Sequence, residues 1–191
     1  MSEGVRTRRW TRKEYDRLIE IGVFQADEPL ELLGGELVVG EPQSSAHHTA
    51  AGLVEDALRA ALGPGWLVRS QGPLALDEES EPEPDIALVP GSRRDYSAEH
   101  PARPVLVVEV ALSSLQFDRE HKGSLYARAG LRDYWILNLV DRVLEVYREP
   151  VPDATASFGW RYTTVDRFGP DASVSPLVAS VARIAISDLL P

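Results

Sequence analysis

The sequence predicts one α/β domain in which a mixed β-sheet is flanked by helices, with a helix and a hairpin near the N-terminus. Three observations predict it. Helix-period and strand-period apolar patterns alternate along the chain instead of falling into separate blocks. One strand-like run, residues 104–110, is apolar on both faces, the pattern of a strand covered from two sides. The 191 residues, 43% hydrophobic and 26% charged, suffice for a single sizeable core.

Thr11-Arg12-Lys13-Glu14 has the form of a capping box, and Tyr15, Leu18, Ile19 and Gly22 follow at helical spacing, so a first helix is expected over residues 14–21. Residues 30–33 and 36–39 read as two short strands around Gly34-Gly35, because glycine reaches the positive φ that tight hairpins need. Ala50, Leu53, Val54, Ala57, Leu58 and Ala61 mark one face of a second helix over residues 46–62, ended by Gly63-Pro64-Gly65. Residues 66–69 and 74–76 suggest a strand interrupted at Gly72-Pro73, and the acidic, proline-rich residues 77–84 a loop that delivers the chain to Asp85.

Residues 85–89 and 104–110 are β-rich, and Ser113-Ser114 can cap a helix over residues 115–129 that stops at Gly130. Residues 134–139 and 143–147 form a hairpin turning near Asp141-Arg142, and residues 150–156 read as a surface loop. Residues 160–165 and the apolar stretch 181–190 are expected to complete the sheet edge and dock back. Tyr134 and Trp135 are expected in the core or an interface. Residues 1–10 read as a flexible basic N-terminus and residues 11–191 as one domain without internal repeats.

The formal net charge of −10 argues against a broad electrostatic grip on nucleic acid. Positive charge gathers early, at Arg6, Arg8, Arg9, Arg12 and Lys13, which leaves two readings: a solvated terminus, or an arm that touches a phosphate backbone. Cysteine is absent, so disulfides and thiolate chemistry are excluded and any metal must be held by oxygen or imidazole. Hard cations, Mg²⁺ or Mn²⁺, fit such ligands. The apolar runs are too short to span a bilayer and no signal-peptide pattern opens the chain, so no membrane association and a cytoplasmic location are the default expectation.

Only two lysines stand against eighteen arginines, and one of them, Lys122, follows Pro84-Asp85 and Glu109. On a strand, Val105, Val107 and Glu109 share one face, so Glu109 is a carboxylate on an otherwise apolar side, costly unless paired or bound to a metal. An antiparallel neighbour would bring Asp85 beside it. Asp118 and Lys122 are four apart on the following helix, with Tyr126 one turn on, and they admit either a site facing the sheet or a surface ion pair. Glu31 reads as a supplementary acid or a solvated hairpin residue, and His47 as a site residue or merely a helix-opening one. His48, His100 and His121 gain nothing from their spacing.

These residues carry a resemblance. Pro84-Asp85, Glu109-Val110 and a lysine displaced onto the next helix resemble the PD-(D/E)XK nuclease superfamily. The run from Val107-Val108-Glu109-Val110-Ala111 through Phe117-Asp118-Arg119, Lys122 and Leu125-Tyr126-Ala127 to Tyr134-Trp135-Ile136-Leu137-Asn138-Leu139 is similar to the Uma-two (Uma2) family, described as candidate restriction endonucleases. The likeness extends to Glu31-Leu32-Leu33-Gly34-Gly35-Glu36 and His47, over residues 11–190.

The resemblance implies a restriction-endonuclease-like core in which Asp85, Glu109 and the Val110 carbonyl bind Mg²⁺ or Mn²⁺. Lys122 would orient the attacking water, with Glu31 and Asp118 as further acids of the site. The superfamily pattern places lysine two residues after the glutamate, where this chain has Ala111; the family's lysine lies on the helix instead. The implied function is metal-dependent hydrolysis of DNA phosphodiester bonds, and cutting both strands would favour a homodimer built on segments after Tyr134. The alternative is a catalytically degenerate nuclease fold serving as a nucleic-acid or protein interaction module, motivated by the acidic charge, Ala111 and Leu112.

Overall fold

The computed structural model describes residues 7–25, 28–40 and 42–191, so Arg6 of the basic N-terminus lies outside the described residues. Helix α1 (Arg12–Glu20) opens on the expected capping box, with Thr11 Oγ1 accepting from the Glu14 N–H and the Glu14 carboxylate accepting from the Thr11 N–H. Strands β1 (Leu30–Leu33) and β2 (Glu36–Val39) pair antiparallel around Gly34 and Gly35, both at positive φ. Helix α2 (Ser45–Ala61) is capped by Ser44 and buries Ala50, Ala51, Val54 and Leu58.

Six strands follow: β3 (Trp66–Ser70), β4 (Ile86–Pro90), β5 (Leu106–Ala111), β6 (Asp133–Asn138), β7 (Val143–Pro152) and β8 (Trp160–Phe168). They form one mixed sheet in that order, antiparallel throughout except between β5 and β6. A parallel pair cannot be closed by a tight turn; the chain must cross back over one face. The crossover consists of α3 (Leu115–Phe117), a π-helical turn over Asp118–Lys122, and α4 (Gly123–Arg128). A two-stranded ribbon, β9 (Ser173–Val174) and β10 (Ile184–Ala185), pins the C-terminal segment.

The sheet separates two cores. On one face Leu106, Val108, Val110, Trp135 and Leu137 pack with α2 and with Ile184, Ile186 and Leu189. On the other, Ala87, Val107, Ala111, Tyr134 and Ile136 pack with Tyr126, Ala127 and Tyr162. Every residue of β5 and β6 is buried, which explains why 104–110 reads as apolar on both faces and why Tyr134 and Trp135 are core residues. The crossover is tied down by Glu145 of β7, which accepts hydrogen bonds from Arg119, Arg167, Asn138 and Tyr147. Burial opposes its ionisation, yet these donors hold its pKa down to about 2.

Four local expectations are corrected. Residues 74–76 do not continue β3; Leu74 and Leu76 are held instead by the carbonyls of Pro82 and Ser80. Val105 packs with the α2 side, not with Val107, because β5 starts only at Leu106. Pro150 and Pro152 lie in β7 and not in a loop, paired with Tyr162 and Trp160. Pairing of β6 with β7 stops at Arg148, so the missing proline N–H groups disrupt no ladder on that side. Ser114 starts its helix in αR geometry without a side-chain cap bond, and its hydroxyl is used elsewhere.

Gly34 shows what positions the hairpin. Its φ is +57°, and a Cβ there would collide with the ring of Phe158. Gly34→Ala is expected to cost about 1–3 kcal/mol from left-handed strain and overpacking. Gly52→Ala on the open side of α2, where a Cβ would meet nothing within 4 Å, should be neutral or stabilising by up to about 1 kcal/mol. Urea denaturation of the two variants checks the contrast; equal effects would contradict it.

Candidate active site

Strand alternation turns Glu109 to the same face as Val107 and Ala111, and the crossover that the parallel β6 requires passes over that face. Lys122 therefore comes to lie above Glu109, its Nζ 3.1 Å from Glu109 Oε1. One helical turn further, Tyr126 Oη donates to the same oxygen at 2.8 Å. Register with β4 ends at Ile86–Val108, so Asp85 sits just past the ladder. There its Oδ2 accepts from the Val110 N–H at 2.7 Å, and its own N–H lies 3.4 Å from Glu109 Oε2.

The N-terminal hairpin supplies Glu31, with Oε1 3.1 Å from Lys122 Nζ and Oε2 accepting from the Glu83 N–H at 3.0 Å. Asp118 faces inward from the π turn, where Ser114 Oγ donates to its carboxylate at 2.5 Å. Asp85, Glu109, Asp118 and Lys122 are 2–7% exposed. The surface Asp118–Lys122 pair is thereby excluded: both groups are buried and the ammonium pairs with Glu31 and Glu109.

The π turn bears on this arrangement. The Gly123 N–H bonds to the Asp118 carbonyl, five residues back, and the Tyr134 hydroxyl donates to the same carbonyl at 3.0 Å. A Cβ at Gly123 would approach that carbonyl to 3.2 Å and the Tyr134 ring to 3.5 Å. Glycine, unfavourable in an ordinary helix, here lets the widened turn sit close to the sheet.

Burial is the largest influence on Glu109; Lys122 opposes it, while Asp85, Asp118 and Glu31 reinforce it, and the pKa is pushed up to about 8. Asp118 is likewise raised by burial, to about 6, against Lys122 and the Ser114 hydrogen bond. Burial alone would depress Lys122, but Glu109, Glu31, Asp118 and Asp85 outweigh it and hold the ammonium protonated. Four carboxylates thus converge on one cation.

Two neighbours complete the shell of Asp85. His47 Nε2 stands 2.8 Å from its Oδ1, and Gln43 Nε2 donates to the same oxygen at 3.2 Å while its own Oε1 accepts from Gln71 at 2.6 Å. His47 is legible from its place at the head of α2. Gln43, before that helix, carries no signal in the sequence; Ser114 and Tyr126 carry only their i±4 spacing from Asp118 and Lys122. Arg8, Arg9 and Arg12 do not reach this site; they contact Glu14, the Gly34 carbonyl with Glu79, and Glu81 respectively.

Among the described residues no three carboxylate or histidine side chains form a ready-made metal cage. A hard cation would rest on Asp85 and Glu109, with remaining positions open to backbone oxygen and water, the usual habit of Mg²⁺. Among the described residues no helix is long and apolar enough to cross a membrane.

No curated protein matches the chain. The fold matches a crystal structure from Anabaena variabilis ATCC 29413, titled as a putative nuclease belonging to DUF820, with a TM-score of 0.63 and 17% sequence identity. The match covers 90% of this chain and 96% of that one. The nuclease-type mixed sheet expected from the sequence is thus the fold observed. A family model, Uma2, described as "Putative restriction endonuclease", matches residues 12–186, nearly the whole chain and all five of the acidic and basic residues gathered at this site, so the protein belongs to the Uma2 family.

Proposed function

We propose that this chain is a metal-dependent endonuclease that hydrolyses phosphodiester bonds of DNA, using Mg²⁺ or Mn²⁺ held by Asp85, Glu109 and the Val110 carbonyl. The observation that carries the reading is the charge imbalance at the buried cluster, where Asp85, Glu109, Asp118 and Glu31 all act on Lys122. Carboxylates forced together away from water either keep protons or bind a cation. The donor set is oxygen only at the central pair, which suits a hard divalent ion. In a strand the N–H and C=O of one residue point to the same side, so the Val110 carbonyl shares the side on which its N–H meets Asp85.

A divalent cation bound there supplies Lewis acidity, polarising a phosphoryl oxygen and lowering the pKa of an attacking water. The rest is the work of this chain's residues. Lys122, held protonated and 3.1 Å from Glu109, can donate to the attacking water and offset negative charge that develops on the phosphate. Glu31 and Asp118 keep it charged, and Glu31 fixes its direction from the opposite wall. Tyr126 and the Val110 N–H orient Glu109 and Asp85. His47 and Gln43 steady the second oxygen-bearing edge of Asp85. The Ala111 position does not remove the lysine function, because Lys122 reaches the glutamate from the crossover.

Two substitutions separate the roles. Glu109→Gln should abolish both Mn²⁺ binding, read by calorimetry, and cleavage of labelled DNA. Lys122→Met should lower kcat by about 10²–10³-fold while leaving Mn²⁺ binding in place. Undiminished cleavage by Glu109→Gln would exclude this assignment.

The titration gives a second check. In the metal-free protein the folded state keeps a proton on Glu109 that the unfolded chain releases between its ordinary value of 4.5 and about 8, so this group makes stability fall as pH rises through that window. Glu109 would have to give up this proton to hold a divalent cation. The increase in Tm caused by millimolar Mg²⁺ should therefore be small near pH ~5.5 and larger near pH ~8.5. An increment independent of pH would contradict the cluster as its origin.

A further inference from the structure

Beside the carboxylate cluster lies an open surface cavity of about 450 Å³, lined by residues that include Ser113, Ser114, Phe117, His121 and Ser157. It adjoins the site just described: Ser114, one of its lining residues, donates its hydroxyl to Asp118, and Phe117 and His121 are the chain neighbours of Asp118 and Lys122. Its aromatic wall is ordered. The Phe117 and His121 rings stack with centroids 4.8 Å apart and planes 24° from parallel, and His121 meets Phe158 edge-on at 4.7 Å.

The far end of this row is anchored. The Phe158 N–H donates to Ser124 Oγ at 2.8 Å, the Arg128 guanidinium lies 4.9 Å over the ring, and the Gly34 turn packs against it. Burial lowers the His121 pKa, which favours the neutral ring. The row is thus fixed at Phe158 and presents Phe117 and His121 to the cavity.

The lining selects among ligands. Among the described residues it contains no lysine or arginine and does contain a carboxylate, Glu120, so a phosphate group is disfavoured there. Aromatic faces, serine hydroxyls and the Gln116 amide instead suit a neutral planar molecule with both donors and acceptors at its edge. A nucleobase has that chemistry, and only a base that has left the duplex stack offers its face to a side chain.

We propose that this cavity holds one unpaired base of the strand being cut, stacked on Phe117 next to the carboxylate cluster, so that the preferred substrate is single-stranded or locally unpaired DNA. The proposal rests on the nuclease reading for its biological meaning, though base binding can be measured without cleavage. Stacking supplies the affinity that the acidic surface does not, and it tolerates any base because every base has a π-face.

The test uses the full chain with a single-stranded oligodeoxynucleotide carrying 2-aminopurine, and the same strand in a full duplex, first in EDTA. The wild type should quench the probe and bind the single strand more tightly than the duplex. Phe117→Leu, which keeps apolar bulk but removes the ring, should weaken single-strand binding by roughly 5- to 150-fold, and Phe117→Trp should retain it. Equal binding by the leucine variant and the wild type, or equal affinity for both strands and duplex, overturns the proposal. A leucine variant that does not fold leaves the tryptophan variant and the strand preference of the wild type as deciding readings.

Cleavage with Mn²⁺ then separates the two claims. Phe117-dependent binding without cleavage of any substrate keeps the base site and overturns the nuclease reading. Cleavage of duplex and single strand at the same rate by wild type and Phe117→Leu keeps the nuclease and overturns the base site.

Discussion

Glu109 is buried at the centre of a strand whose other five residues are apolar, and its carboxyl group has to be satisfied where it stands, by hydrogen-bond partners and by a proton or a cation. A carboxylate removed from water costs several kcal/mol unless donors meet it. The donors here come from separate parts of the chain: Lys122 and Tyr126 from the crossover, the Asp85 N–H from the residue just before β4. Glu31 of the hairpin then balances Lys122. Each of these elements therefore meets at the same buried carboxyl group, and the parallel pairing of β5 with β6 is what requires a crossover, which here passes over that face. The Glu145 network on β7 restrains the other side of the π turn through Arg119.

Local and global electrostatics diverge in a way that shapes the function. The chain carries a formal charge of −10, and its described N-terminal arginines are engaged within the protein, Arg8 with Glu14, Arg9 with the Gly34 carbonyl and Arg12 near Glu81. Counterion release, the usual source of affinity for a phosphate backbone, has little to draw on. A nuclease of the proposed kind would have to gain its hold close to the reaction centre, through phosphate oxygens at a bound cation and through non-ionic contacts with a base.

Much of the fold could be read from the residues because its signals are local. The capping box at Thr11-Glu14, the glycine pair between β1 and β2, and the helical spacing from Ala50 to Ala61 each fix an element within a few residues. The two-sided apolar run identified β5, and alternation along it singled out Glu109. What could not be read depends on contacts between distant segments. That Glu31 reaches Lys122 depends on hairpin docking, which includes the contact of Gly34 with Phe158, far apart in sequence. The strand around Pro150 and Pro152 was hidden because proline argues against pairing, and the penalty is removed because pairing with β6 ends at Arg148. A π turn differs from an α turn by one residue per hydrogen bond and leaves no compositional trace; Gly123, which reads as a weakness, accommodates it.

The displaced lysine follows from the same geometry. Residue 111 points to the same face as residue 109, and Ala111 is fully buried there in the core that contains Tyr126 and Tyr134. A lysine at 111 would have to displace this packing, and with Lys122 present it would add a second ammonium to a space already packed. Moving the charge to the crossover frees the strand position for a small residue, which lets Tyr126 pack closely enough to donate to Glu109. It also places the lysine one residue from His121 and in the same π turn as Asp118, which Ser114 holds. The ammonium, one of the acids that keep it charged and the His121 ring of the aromatic wall thus ride on a single turn, directly after Phe117. Any shift of that turn would move all three together, which couples the proposed chemistry to the proposed base site through one short stretch of backbone.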